Sequence, residues 1–160
     1  MATVHNNLSN FDPESVPSGS GLRLALVVAE WNSTITENLF RGAKSTLIKC
    51  GVAAQDITRI NVPGSFELVF GAKNALELAV DAVIVIGSVI QGQTKHFDFV
   101  CQGVTQGITS LNLQSDRPVI FCVLTDNTMQ QAIDRSGGKH GNKGDEAAIA
   151  ALKMIAVANS

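Results

Sequence analysis

The sequence is poor in the residues that mark several functional classes. It has no tyrosine, one tryptophan and seven phenylalanines among 160 residues, so no aromatic stripe is available to stack successive bases. Only 16% of residues are charged, and the formal net charge is −2 with a pI near 5.9. Such a balance offers no basic field for a phosphate polymer, and nucleic acid is not expected as a partner. The three cysteines, Cys50, Cys101 and Cys122, are widely spaced, with no Cys-x-x-Cys pair and no histidine at metal spacing. They read as buried thiols in a reducing cytoplasm, and no metal site is expected. No apolar run reaches membrane-spanning length, and Met1 to Gly21 has neither the basic start nor the apolar stretch of a signal peptide. A soluble cytoplasmic protein with no membrane partner is therefore expected.

What is present fits one globular domain. Hydrophobic residues make up 45%, and the length suffices for a single core but not for two ordinary ones. So few charges also point to an oligomer, because more surface must be covered than a monomer covers. Residues 1–21 are rich in Asn, Ser, Pro and Gly. They are expected to form a flexible arm, ordered only where a neighbour holds it, and residues 22–160 to form the domain.

Along that domain, short apolar runs alternate with helical patterns. Leu22 to Ala29 reads as a strand, with Asn32 or Ser33 placed to cap the helix that follows. From Thr34 to Cys50 apolar residues recur at helical spacing, and Gly51 supplies the stop. Ile57 to Val62 alternates as a strand before Pro63-Gly64, and Ser65 opens a helical run in which Leu68, Val69, Ala72, Leu76 and Ala79 share a face. Ala82 to Ile90 is apolar almost throughout, as a strand buried on both faces must be, and a helix from about Phe97 to Leu113 follows it. Pro118 to Thr125 repeats the strand pattern. Asp126 or Asn127 is placed to cap a short helix to Arg135, and after the loop Gly137 to Gly144 an alanine-rich helix spans Asp145 to Ala158.

Strands that alternate with helices are joined by right-handed crossovers, which set helices on both faces of a parallel sheet. The expected fold is α/β: a single three-layer α/β/α sandwich with a mainly parallel four-stranded sheet, flavodoxin-like. Ligands in such sheets gather beyond the carboxyl ends of the strands. Those ends carry Trp31, Pro63 to Glu67, Ser88 to His96, and Thr125.

Each feature at that edge has a plain reading beside a functional one. Trp31 can stack on a flat heterocycle or simply pack at a strand exit. Glu67, one turn into a helix on this reading, can accept hydroxyls of a polyol or merely favour the helix start. Gly92-Gln93-Thr94 can offer N–H groups and a hydroxyl to a phosphate, with Lys95 raising the local potential, or serve as an ordinary cap. His96 has the intrinsic pKa for proton transfer near neutrality, although single histidines are often structural. Lys95 reads as a surface charge rather than a Schiff-base lysine. The run Gly137 to Gly144 lacks the Gly-Lys-Ser/Thr ending of a P-loop, and no Gly-x-Gly-x-x-Gly follows the first strand, so nucleotide and dinucleotide readings fail.

Taken together, four segments closely resemble the lumazine synthase family over Leu22 to the C-terminus. They are Glu30-Trp31-Asn32, Val62 to Glu67, Gly87 to His96, and Ala132 to Gly144. The resemblance implies condensation of a ribitylamino-pyrimidinedione with 3,4-dihydroxy-2-butanone 4-phosphate to 6,7-dimethyl-8-ribityllumazine, without metal or cofactor. It implies that Trp31, at a position usually held by Phe, stacks on the pyrimidine, that Ser65, Phe66 and Glu67 hold the ribityl side, and that Ser88, Val89 and Ile90 read the ring's polar edge. Gln93, Thr94 and Arg135 match the phosphate site, His96 the proton-transferring histidine, and Phe121 the aromatic contributed by an adjacent subunit. Gln91, Gln93 and Lys95 depart from the commoner Arg, small or acidic, and neutral residues of the family. The resemblance further implies homopentamers, twelve of them closing into an icosahedral shell, an arm that adds a strand to a neighbouring subunit, and riboflavin synthase as a partner. Two other readings stand beside it: a non-catalytic flavin or lumazine binder on the same scaffold, and, ranked last, a flavodoxin-like electron carrier, for which the loop after Trp31 lacks the hydroxyl and glycine pattern.

Overall fold

Four parallel strands run through the middle of the structure, a computed structural model that describes residues 7, 9–12 and 15–160. They are β1 (Leu24–Ala29), β2 (Ile57–Val62), β3 (Ala82–Ile90) and β4 (Val119–Asp126), in the order β2-β1-β3-β4. β1 is buried at every position and β3 at all but its last two, which is why both read as unbroken apolar runs rather than alternating ones. The helices are α1 (Ser33–Lys49), α2 (Leu68–Leu76), α3 (His96–Gln114), α4 (Met129–Arg135) and α5 (Lys143–Ala158).

Side-chain alternation splits the core between the two faces of the sheet. Leu24, Leu26, Val28, Ile84, Ile86, Cys122 and Leu124 meet α1 and α5 on one side. Ala25, Val27, Val83, Val85, Val119 and Val123 meet α2 and α3 on the other. The three-layer α/β/α sandwich is therefore present. Arg59 of β2 ties the sheet edge to α1, ion-paired with Glu37 and lying 4.5 Å over the Phe40 ring. Cys122, wholly buried, has its thiol pushed up to about 12 by burial and is a neutral core residue. Cys50 and Cys101 are only half-buried, so the expectation of three buried thiols holds for Cys122 alone.

Several boundaries differ from the sequence reading, each for a tertiary reason. α2 begins at Leu68, because residues 65–67 form the turn that leaves β2; Glu67 stands at the cap position, not one turn inside the helix. Ala79 lies beyond α2 and is exposed. α4 is capped by the hydroxyl of Thr128, which accepts from the Gln131 N–H, rather than by Asp126 or Asn127. Asp126 is still in β4, in register with Ile90. The Gly-rich segment expected as a loop contains a small antiparallel hairpin, β5 (Ser136–Gly138) with β6 (Gly141–Asn142). Gly137 and Gly141 make it possible through φ values of 114° and 82°. Asn142 then caps α5, its side chain accepting from the Gly144 N–H at 2.8 Å and donating to the Leu39-preceding carbonyl of Asn38 at 2.9 Å.

Part of the arm lies on the chain's own domain: Ser9 Oγ accepts from the Asn142 N–H at 2.9 Å, Val16 is buried, and the Gly19 N–H donates to the Cys50 carbonyl at 2.8 Å. Residues 1–6, 8, 13 and 14 of the expected arm lie outside the described residues. Among the described residues no helix is long and apolar enough to cross a membrane.

Candidate active site at the carboxyl edge of the sheet

Hydrogen bonds lace all four strand ends into one edge. The Glu30 and Trp31 N–H groups donate to the Val62 and Pro63 carbonyls at 2.8 and 3.1 Å, joining the exits of β1 and β2. The Asn32 amide donates to the Ser88 carbonyl at 2.9 Å, joining β1 to β3. The Gln91 N–H donates to the Asp126 carbonyl at 2.9 Å, joining β3 to β4. Asn32 can reach Ser88 because it adopts the left-handed conformation, φ 57° and ψ 46°, where Asn is tolerated better than most residues. That conformation turns its side chain away from capping α1 and toward the sheet.

The turn after β2 comes very close to β3. A Cβ added at Gly87 would fall 2.6 Å from Ser65 Oγ and 2.8 Å from Leu68 Cδ1, so only glycine permits this approach. Ser65 Oγ and Ser88 Oγ, buried near Gly87, have no hydrogen-bond partner among the described residues. Phe66 sets its ring in a notch at Gly103, where an added Cβ would lie 2.6 Å away, and Val69 fills the corresponding notch at Gly107. Through these contacts α2 and α3 are held together with Ser65, Phe66 and Glu67 at the edge.

β3 delivers the longest stretch of the edge. Ser88 is buried and Val89 and Ile90 are half-buried, while Gln91, Gly92, Gln93, Thr94, Lys95 and His96 are exposed. His96 is the first residue of α3, and its N–H donates to Thr94 Oγ1 at 3.4 Å. Trp31 is 72% exposed and lines a cavity of about 370 Å³ with Asn32, Thr34, Ile35 and Met129. An indole so open to solvent next to a concave wall is free to take a planar ligand.

The β4 end brings in Arg135. Its guanidinium Nη1 donates to the Gln131 carbonyl at 3.1 Å and lies 3.8 Å from the Asp126 carboxylate. Asp126 is itself paired with Ile90 and bonded through its carbonyl to the Gln91 N–H, so Arg135 is tied to the junction of the β3 and β4 ends. Burial pushes the Asp126 carboxyl above the usual carboxylate range, and Arg135 opposes that rise.

Phe121 alone among the sequence-named residues is not at this edge. It is paired with Val85 in the middle of β4, about 16 Å short of the strand end, and its ring is exposed on the α3 side of an edge strand. A larger concavity of about 470 Å³, lined by Asn38, Arg41, Gly137 and Asn142 among others, lies beside the hairpin and contains none of the residues to which the resemblance assigns a site role. The sequence reading missed Asn32 as a clamp on β3 and Asp126 as the partner of Arg135. An Asn at a strand exit is a visible turn signal, but its partner 56 residues away is not.

Comparison with known proteins identifies the family. The profile of the family described as 6,7-dimethyl-8-ribityllumazine synthase matches residues 21–159. A 6,7-dimethyl-8-ribityllumazine synthase of Flavobacterium johnsoniae is 66% identical over 155 residues, covering 96% of this chain and 82% of its own. Those of Christiangramia forsetii and Parabacteroides distasonis are each 58% identical over 156 residues, covering 96% and 97% of this chain and 93% and 98% of theirs. With the matched span running through all four strands and the edge they build, the chain belongs to the 6,7-dimethyl-8-ribityllumazine synthase family.

Proposed function

We propose that this chain condenses 5-amino-6-(D-ribitylamino)uracil with 3,4-dihydroxy-2-butanone 4-phosphate to 6,7-dimethyl-8-ribityllumazine, releasing phosphate and water, as a transferase of riboflavin biosynthesis. The observation that carries the reading is the laced carboxyl edge, which bears Trp31 after β1 and His96 after β3, with Arg135 at the end of α4 tied to it through Asp126 of β4. The reaction asks mainly for alignment and proton transfer. The pyrimidine amine attacks the ketone, an imine forms with loss of one water, phosphate leaves, and the ring closes with loss of a second water.

In this reading Trp31 stacks on the pyrimidine, Ser88, Val89 and Ile90 read its polar edge through their backbone, and Ser65, Phe66 and Glu67 hold the ribityl chain. His96 moves the proton. Gln93, Thr94 and Arg135 hold the phosphate, for which a planar guanidinium fork is better suited than an ammonium. The position of Phe121, exposed and remote from its own chain's edge, fits a contribution to a neighbour's site. The exposed Phe66, Phe70, Phe99 and Leu113 supply apolar surface for such contacts. The outer side of β2 is unpaired within the described residues, which leaves a place for an added strand from the arm of another subunit. The assembly proposed is a pentamer, with twelve closing into a shell, working in the cytoplasm with riboflavin synthase as a partner.

Two experiments test this. Mixing both substrates with purified protein is expected to raise lumazine absorbance in step with phosphate release. Quenching of Trp31 fluorescence by riboflavin with no lumazine formed would instead establish a non-catalytic binder. Replacing Arg135 by alanine is expected to raise KM for the phosphate substrate by about 10- to 100-fold, the size of a charge-assisted contact, with a much smaller change in kcat. Single-turnover kinetics in which kcat falls and KM does not would reject the role.

A further inference from the structure

Asp126 is an unusual group to find beside a phosphate-binding arginine. It is 7% exposed, and its side chain lies on the same face of β4 as Cys122 and Leu124. One carboxylate oxygen lies 3.8 Å from Arg135 Nη1, and the other, Oδ2, is buried with no hydrogen-bond partner among the described residues. At that separation the pair is coulombic rather than hydrogen-bonded. A guanidinium has five donors, and the Arg135 side chain is 39% exposed. It is thus held loosely by one carboxylate and the Gln131 carbonyl, and keeps donors for a ligand.

We propose that Asp126 is the resident counter-ion of Arg135, so that the phosphate of the substrate must displace a carboxylate to bind and the carboxylate recovers the guanidinium when phosphate leaves. Two anions that share one cation repel each other, and here the nearer is fixed in a poorly hydrated position, where its charge is little screened. Asp126 therefore weakens phosphate binding and favours release of the phosphate product. It acts through Arg135 and is a positioning residue, not a catalytic one. Burial pushes the Asp126 carboxyl above the usual carboxylate range, and the nearby Arg135 guanidinium opposes that rise.

The inference rests on Arg135 being the phosphate clamp, and the test separates the two. Asp126→Asn keeps the shape and an acceptor for Arg135 but removes the charge. It is expected to lower both KM for 3,4-dihydroxy-2-butanone 4-phosphate and the inhibition constant of inorganic phosphate by about three- to fivefold. KM for the pyrimidine should stay within about twofold, a split that general damage to the site would not produce. In an Arg135→Ala background the same substitution should have a clearly smaller effect on phosphate, because only the direct repulsion between the two anions remains. Unchanged or weaker phosphate binding in Asp126→Asn, or an equal shift without Arg135, overturns the proposal. Wild-type KM in Arg135→Ala overturns the clamp itself, whereas a raised KM there together with an Asp126→Asn that is inert in the otherwise unaltered chain overturns only the part assigned to Asp126. If Asp126→Asn does not fold, Asp126→Thr serves in its place, and failure of both neutral variants to fold would make the charge structural and end the proposal.

Discussion

Alanine at His96 is expected to lower kcat by about 10²- to 10³-fold, the range that a positioned general acid or base contributes, while the Kd of the phosphate substrate changes by less than about threefold. The expectation follows from where the residue stands. His96 opens α3 directly after the exposed turn that carries Gln93 and Thr94, and its backbone N–H, not its ring, donates to Thr94 Oγ1. The ring can be removed without disturbing that backbone contact. No buried neighbour depends on it, since the side chain is exposed, so the loss should register in the proton-transfer step and not in folding. Single-turnover formation of lumazine with both substrates saturating is the measurement. A kcat within threefold of the unaltered chain would show that the proton moves by another route.

The contrast between His96 and Asp126 shows which parts of the site the sequence makes legible. His96, Trp31 and Arg135 are recognisable because each is a chemically distinctive residue next to a periodic apolar run, and periodicity places strand ends well. β2 and β3 have the bounds that alternation and apolar continuity predict. Asp126 or Asn127 reads as a helix cap because Asp or Asn before a helical pattern usually is one. The structure uses it differently: β4 extends one residue further through the Gln91 hydrogen bond, and the capping passes to Thr128. That choice depends on β3, which local sequence does not report. Asn32 is a similar case, since its left-handed backbone is compensated by a carbonyl on another strand. The hairpin of β5 and β6 is too short to carry an alternation signal, and only its glycines hint at it. The exposure of Phe121 is not visible in the local pattern of its strand and follows from β4 being the edge of the sheet.

Gly144 provides the sharpest conflict between local and tertiary reasoning. It sits in the first turn of α5, where helix propensity alone predicts that alanine would stabilise the chain by up to about 1 kcal/mol. The packing predicts the opposite sign. A Cβ at this position would lie 2.0 Å from the Leu39 carbonyl oxygen and 2.9 Å from the Ala43 nitrogen, both backbone atoms of α1. Neither can swing aside as a side chain would, so α5 must withdraw from α1. That movement would loosen Leu39, Ala43, Leu47, Ala147, Ala148, Ala151 and Leu152, all buried in one cluster. It would also pull on the Asn142 cap, which bonds both helices, and on the hydrogen bond from Thr46 Oγ1 to Asp145. Overpacking against an unyielding partner costs about 3 kcal/mol or more, a large share of the stability of an ordinary domain. Gly144→Ala is therefore expected to lower the urea midpoint sharply, or to prevent folding, when helical circular dichroism is followed at matched protein concentration. Gly92→Ala, where an added Cβ meets nothing within 4 Å, should shift stability by no more than about 0.5 kcal/mol. A Gly144→Ala midpoint equal to or above that of the unaltered chain would mean that α1 and α5 do not approach this closely, and that local propensity governs the start of α5 after all.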